Sequence, residues 1–266
     1  MSTLSSYTIQ CAKCKRASKQ ESIMSYSIFG YPDLDFRPPS MLRETMGCWV
    51  DECPYCGYIH TKLDTPCDLS LEVILAAHHE IESGFDWGHF SDRLNSLIRD
   101  TLAHRLKKQN GCEEAAVRFL NSTFWEHFEA LQFAKFGAML AKLTDLQGAA
   151  EQFLRVAWFY DDESKEQEAT HWRKIAIEHV EKMMNQPQTP VSEQMICILA
   201  DMLRRVGDFK SVFQLDESQL DDDSFIQLIK YQKELSKNED RRVHKINETS
   251  ATLAEKYNGR GMYFSL

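Results

Sequence analysis

Basic charge is what this chain is short of: 31 lysines and arginines stand against 40 aspartates and glutamates, a formal net charge of -9. A protein that grips nucleic acid over its whole surface needs concentrated Lys and Arg, so that class is disfavoured and only a local basic patch stays open. With 11 glycines and 7 prolines in 266 residues the chain is not collagen-like, and 43% hydrophobic against 27% charged residues rules out disorder as a description of the whole. No apolar run approaches the roughly 20 residues that cross a bilayer, so no membrane span is expected. The start, Met1-Ser2-Thr3-Leu4-Ser5-Ser6-Tyr7, has no basic region followed by an apolar one, and no secretory signal is expected either. Common catalytic signatures are missing too. There is no Gly-x-x-x-x-Gly-Lys-Ser/Thr phosphate loop, no Gly-x-Gly-x-x-Gly after a strand and no Gly-x-Ser-x-Gly nucleophile turn. His78-His79-Glu80 fails the His-Glu-x-x-His zinc-enzyme pattern, because with His79 as its first place the fifth place is Ser83.

Cysteine, by contrast, is present and unevenly placed. Cys11, Cys14, Cys48, Cys53, Cys56 and Cys67 precede residue 68, and only Cys112 and Cys197 follow. Without a signal, paired cysteines point to a reducing cytoplasm, where they usually hold metal. Cys11-Ala12-Lys13-Cys14 and Cys53-Pro54-Tyr55-Cys56-Gly57 each set two thiolates on one turn, and together they offer four sulfurs for a tetrahedral, structural zinc. Pro54 presets φ in the second turn and Gly57 lets the backbone curl toward the sulfurs, whereas the first turn has neither residue. The four thiolates and one divalent ion leave a formal charge of about -2, which Lys13, Lys15 and Arg16 would offset. The 38 residues between Cys14 and Cys53 are about twice the 15–20 of a compact ribbon, a tolerable length because closure cost grows slowly. Cys48, Cys67 and His60 are alternative ligands; a redox pair and unliganded buried thiols are the rival readings. Cys112 and Cys197 read as helix-packing thiols.

The expected fold is mainly α: a small β and loop zinc ribbon over 1–66, an antiparallel, tetratricopeptide-like helical body over 67–236, and a C-terminal tail over 237–266. Ile23 to Ile28 alternates like a half-buried strand, Gly30 to Pro39 is a proline-rich loop, and Met46 to Glu52 is a second extended piece. A helix begins near Leu69 and ends at Ser83-Gly84, with Phe85 to Gly88 as a connection. Further helices are expected over 91–108, 113–143, 146–160, 163–185, 191–206, 208–215 and 223–236, with Thr189-Pro190 as a helix start. Acidic runs Asp161-Asp162-Glu163 and Asp221-Asp222-Asp223 read as caps at helix N-termini. Residues 1–66 hold seven basic and seven acidic residues, so the whole excess of acid lies on the helical part. Gly137, Leu140, Ala149 and Phe153 fit one two-helix repeat unit around Thr144-Asp145-Leu146, and Ala200, Leu203 and Val212 fit another around Gly207-Asp208-Phe209, 63 residues on. An irregular helical bundle is the alternative. Phe119, Phe124, Trp125, Phe128, Phe133, Phe136, Phe153, Trp158, Phe159 and Trp172 read mostly as core.

The run Gly30-Tyr31-Pro32-Asp33-Leu34-Asp35-Phe36-Arg37-Pro38-Pro39, with Arg43, Met46, Trp49-Val50 and Cys53-Pro54-Tyr55-Cys56-Gly57-Tyr58, resembles bacterial proteins of unknown function. Those proteins join an N-terminal cysteine-pair zinc ribbon to a tetratricopeptide-like region. The resemblance is closest over residues 8–60 and extends to Ala200–Val212. It implies a metal-binding ribbon and a helical scaffold, and no reaction.

Function is accordingly expected to be zinc-dependent in structure and non-enzymatic: an interaction or adaptor protein with a structural zinc, whose acidic helices favour a protein partner with a basic patch. One alternative is a nucleic-acid-binding ribbon using Lys13, Lys15, Arg16 and Lys19. The other is a metal-dependent enzyme using Asp33, Asp35 and histidines such as His78, His79, His89, His104 and His127, which are expected to be solvated. Asp33, Asp35 and Arg37 otherwise read as side-chain turns and an internal ion pair, with Arg43 as a partner.

Overall fold

The computed structural model describes residues 3–25, 29–43, 45–84, 125–186 and 190–257. It is mainly helical with a small N-terminal antiparallel sheet, as the sequence pattern requires. Thr3–Gln10 (β1) and Ala17–Ser25 (β2) form a hairpin in which Gln10 faces Ala17 and a bulge interrupts the register at Thr3/Leu4. Along β1, Ser5, Tyr7 and Ile9 are partly buried while Leu4, Ser6, Thr8 and Gln10 are exposed, the period-two alternation of a sheet with one covered face. The strand expected over 23–28 thus lies earlier, and its residues 26–28 fall outside the described residues. β1 itself carries Ser and Thr where apolar alternation would have marked it.

Ser40–Arg43 (α1) follows the proline-rich loop, and the expected extended piece from Met46 is instead a tight helical turn over Met46–Cys48. Only Asp51–Glu52 (β3) extends, pairing antiparallel with Ile59–His60 (β4). Leu71–Gly84 (α2) starts at Ser70, whose hydroxyl accepts from the Val73 N–H at 3.3 Å. Among the described residues the body then comprises Trp125–Lys142 (α3), Leu146–Asp162 (α4), Glu166–Met184 (α5), Glu193–Val206 (α6), Phe209–Gln214 (α7), Asp223–Lys237 (α8) and Ala251–Lys256 (α9). The expected connection 85–88, helix 91–108, the start of helix 113–143, Cys112, His89, His104, Phe119, Phe124, Thr189 and the last nine residues lie outside the described residues. α6 is capped by Ser192, which accepts from the Met195 N–H at 3.2 Å, so Pro190 stands two residues before the cap rather than inside the first turn.

Three tight turns share one geometry. Thr144 (φ 62), Ser164 (φ 58) and Gly207 (φ 86) are left-handed residues that close α3, α4 and α6. At each, two successive N–H groups return to the last helical carbonyls: Asp145 to Leu140 at 3.0 Å, Lys165 to Tyr160 at 2.8 Å and Asp208 to Leu203 at 2.9 Å. Asp145 and Asp208 then cap the next helix through Gly148 N–H (2.9 Å) and Ser211 N–H (3.2 Å), so one residue ends one helix and begins another. Gly137 is where α3 meets α4 closely: a Cβ there would stand 3.1 Å from the Phe153 ring. Buried Ala149, Ala150, Ala157, Ala169 and Ala176 bring α4 and α5 together, and Phe153 stacks on Trp172 with centroids 5.9 Å apart. Three described helices, α4 to α6, separate the Thr144 and Gly207 turns. Two regular helix-pair repeats would need four, so the two turns are out of phase.

The acidic runs divide. Asp222 caps α8 through the Ser224 N–H at 2.7 Å, as expected. Asp161 and Asp162 instead end α4, where the helix dipole opposes their charge, and arginines answer it. Arg173 on α5 and Arg205 on α6 both grip Asp161, and Arg37 of the proline-rich loop pairs with Asp162. Residues 238–257 are joined to that same loop. Leu34 N–H donates to the His244 carbonyl (2.9 Å), Ile246 N–H donates to the Pro32 carbonyl (3.0 Å), and Phe36 packs against Phe225 and Tyr257.

Candidate metal centre

The two cysteine turns are built alike. In the first, which joins β1 to β2, Cys11 N–H donates to the Arg16 carbonyl (2.9 Å) and Lys15 N–H to the Cys11 carbonyl (3.0 Å). In the second, between β3 and β4, Cys53 N–H donates to the Tyr58 carbonyl (2.8 Å) and Gly57 N–H to the Cys53 carbonyl (2.9 Å). The fifth residue of each turn is left-handed: Lys15 with φ 60 and Gly57 with φ 71. Lysine therefore holds, at a steric cost, the conformation that glycine adopts freely in the second turn.

This geometry turns backbone N–H groups toward sulfur. Cys11 accepts from the Lys13 N–H at 3.4 Å, Cys14 from Arg16, Cys53 from Tyr55 and Cys56 from Tyr58, the residue two places on in every case. The turns face each other with Cys11 and Cys56 sulfurs 3.7 Å apart and Cys14 and Cys53 sulfurs 3.6 Å apart, and all four lie within 4.8 Å of one another. A disulfide would need about 2.05 Å. A tetrahedron of sulfurs at the zinc bond length of about 2.3 Å has edges of about 3.8 Å, so the sulfur spacing is that of a closed four-thiolate site. Burial pushes the Cys53 thiol up to about 11 and raises Cys56 as well. Cys14 is also raised by burial, but the Arg16 N–H and the Cys53 thiol hold it below the ordinary thiol range. Binding a divalent ion here displaces protons, which ties affinity to pH.

Surrounding groups fasten the turns. The Lys13 ammonium donates to the carbonyls of Cys67 and Leu69, anchoring the first turn to the approach to α2. Arg16 lies 3.5 Å over the Tyr55 ring, joining one turn to the other. Ala12 N–H reaches the Leu63 carbonyl at 2.7 Å, and buried Tyr58 donates to the Thr65 carbonyl at 2.8 Å. Among the described residues, these four cysteines are the one group arranged to hold a metal. His60 instead packs against Tyr58 and Phe136, and Cys197 is a buried packing thiol, 3.7 Å from the Phe225 carbonyl.

The second candidate cluster is locked. Asp33, Asp35 and Arg37 are nearly inaccessible, at 3%, 1% and 2%. Asp33 pairs with Arg43 at 2.5 Å, the internal partner that the spacing suggested. Asp35 accepts from the Trp158 indole at 2.6 Å and from the Arg37 N–H at 3.2 Å. Burial, reinforced by Asp35, pushes Asp33 up to about 7; burial, reinforced by Asp201, raises Asp35. The loop is a strap joining α4, α8, α9 and the segment around His244. Its partners in α4 lie more than a hundred residues away, which no local spacing could reveal. His78 is buried, contrary to the expected solvated state, and burial with the nearby Lys135 pushes it down to about 4; His79, on the other side of α2, is exposed. No protein-family model, curated protein or solved structure matches this chain.

Proposed function

We propose that this chain is a zinc-binding interaction protein: Cys11, Cys14, Cys53 and Cys56 hold one structural zinc, and the helices serve as a scaffold for a protein partner. The sulfur spacing of 3.6 and 3.7 Å carries the reading, since four thiols aimed at one point have no other evident purpose. The zinc would supply no chemistry, because a closed four-sulfur shell leaves no position for substrate. The cysteine chemistry supports a cytoplasmic setting, where thiols stay reduced. Among the described residues no helix is long and apolar enough to cross a membrane. Tetratricopeptide-like packing is proposed for the α3–α4 pair alone, through Gly137 and Phe153.

Two alternatives stand beside this one. A nucleic-acid surface would use Lys13, Lys15, Arg16 and Lys19; of these Lys13 is bound to backbone carbonyls and Arg16 lies over Tyr55, while Lys15, Arg16 and Lys19 are exposed. An enzyme built on Asp33 and Asp35 would need carboxylates free to act, and both are engaged within the protein. The test is elemental analysis of the purified chain with thiol titration before and after chelation. One zinc per chain, with four thiols that become reactive only on chelation, supports the reading. A zinc-free protein with all its thiols reactive overturns it, and a second bound metal would favour the enzyme.

A further inference from the structure

The four sulfurs of the metal centre differ in access: Cys11 and Cys53 are buried, whereas Cys14 and Cys56 are partly exposed. The contacts of 3.7 and 3.6 Å run across the two turns, Cys11 to Cys56 and Cys14 to Cys53, so each joins one accessible sulfur to one buried sulfur. Surroundings separate the two accessible cysteines further. Cys14 is followed by exposed Lys15 and Arg16, while Cys56 lies between Tyr55 and Gly57, with the Arg16 guanidinium set over the Tyr55 ring. Reactive cysteines sit in partly exposed, electropositive surroundings, and of the four Cys14 fits that description best. Cys48 is also partly exposed, but burial, reinforced by Glu21, Glu129 and Asp51, pushes its thiol up to about 11.

We propose that this cluster is an oxidation site for hydroperoxides, in which Cys14 takes the first attack, Cys53 closes a disulfide on it across the turns, and the zinc is released. The inference rests on the four-cysteine zinc reading and adds the regulation of that site. Zinc keeps all four sulfurs as thiolates, the form that attacks peroxide. The Cys14 thiolate attacks one peroxide oxygen, the O–O bond breaks, hydroxide leaves and Cys14 becomes a sulfenic acid. The Cys53 thiolate then attacks the Cys14 sulfur, an S–S bond forms, and the sulfenic oxygen leaves as a second hydroxide. Two thiolates have thus given two electrons to one peroxide, solvent protons convert both hydroxides to water, and the ion departs unreduced as a divalent cation. Cys11 and Cys56 alone do not make a tetrahedral shell. Closing the sulfurs from 3.6 Å to about 2.05 Å asks for a small movement, and the new bond ties the ends of the same 38-residue interval that zinc would tie. The ion is lost while the two turns stay joined, whereas disulfides within each turn would leave no covalent link between them.

The experiment treats the zinc-loaded full chain with hydrogen peroxide, follows zinc release with a chromogenic chelator, and maps the disulfides by peptide mass. The chain's own cleavage sites resolve the pairing: trypsin cuts after Lys13, between Cys11 and Cys14, and chymotrypsin cuts after Tyr55, between Cys53 and Cys56. The expected result is loss of the zinc together with two thiols, a crosslink from Cys14 to Cys53, and early trapping of a sulfenic acid at Cys14 by dimedone. The far-ultraviolet circular dichroism spectrum should stay unchanged, and a thiol reductant should restore zinc binding. Zinc that stays bound under peroxide overturns the proposal and leaves the structural zinc standing. So does Cys14 joined to Cys11, trapping at Cys56 before Cys14, or release accompanied by loss of helix. A chain that holds no zinc before peroxide is added overturns the zinc reading itself, and this inference with it.

Discussion

Asp161 is the point at which three helices of the body are tied by a single carboxylate. It ends α4 and accepts from both terminal nitrogens of Arg173 on α5 and both of Arg205 on α6, with three of the four contacts at 2.9 to 3.1 Å. The side chains are 11%, 3% and 12% exposed, so solvent cannot replace the contacts. Burial alone would raise its pKa; Arg173 first and Arg205 next outweigh that and hold the carboxyl below its ordinary range. Asp161→Asn keeps the shape and removes the charge, leaving two buried cations short of their counter-ion. Breaking a buried pair from one side costs about 3–5 kcal/mol. Arg205 also faces Asp35 and Asp201, so the lower end, about 3 kcal/mol, is expected, a large share of the 5–15 kcal/mol typical of a folded protein. Urea unfolding followed by far-ultraviolet circular dichroism would read it as a lower midpoint at an unchanged slope. Asp161→Leu combined with Arg173→Met should recover about half of the loss or more, because an apolar pair requires no counter-charge. A single-variant loss below about 1 kcal/mol, the worth of an exposed pair, would refute the reasoning, as would a double variant no better than the single one.

Thr144 is a β-branched residue held at φ 62, and Thr144→Gly should raise stability by about 1 kcal/mol in thermal or urea unfolding; no gain would mean that the turn is not strained. Gly137→Val places methyls against the Phe153 ring and Gln152, where a Cβ alone already stands at 3.1 and 3.2 Å, and should cost about 1–3 kcal/mol by the same measurement. Asp33 has a folded pKa of about 7, above its unfolded value of 3.8, so the folded state binds the extra proton between those limits and the parent loses stability as pH rises from about 4 to about 7. Asp33→Asn should make that decline shallower by at most about 1.4 kcal/mol per pH unit. Comparing parent with variant cancels His78, whose depressed pKa acts in the opposite direction over part of the same range, and parallel profiles would count against the assignment.

The features legible in the sequence are those whose cause lies within a few residues. Cys11 and Cys14, like Cys53 and Cys56, announce a sulfur-presenting turn because two intervening residues fix where the thiols point. Asp222 announces a cap because a short acid before a helix has an N–H within reach, and Asp208, read as a turn residue, caps α7 for the same reason. Ser192 could have been found by the same rule, since Ser followed by Glu193 and an apolar run is a helix start, but Pro190 drew attention two residues too early. β1 stayed hidden because Ser5, Ser6 and Thr8 carry little apolar contrast. The strand is fixed instead by its pairing with β2 and by the Tyr7 hydroxyl donating to Asp51 at 2.5 Å. The acidic pair at 161 and 162 looks like a cap in the sequence because spacing shows charge and not its partner: Asp162 meets Arg37 across 125 positions.

The same limit explains the long interval between the cysteine turns. The 38 residues from Cys14 to Cys53 exceed a compact ribbon because they carry β2, the strap with Asp33, Asp35 and Arg37, and the Met46–Cys48 turn. Both ends of the interval meet at the sulfur cluster, while its middle is clamped between α4 and the segment around His244. A zinc bound as proposed would close this loop in the folded chain alone, because the four-thiolate site does not exist once the chain unfolds. Removing the ion would then lengthen the free excursion of a segment whose buried carboxylates pair with the helical body. Zinc loading as proposed would thereby be coupled to the stability of the helices through the strap, although none of the four cysteines lies on a helix.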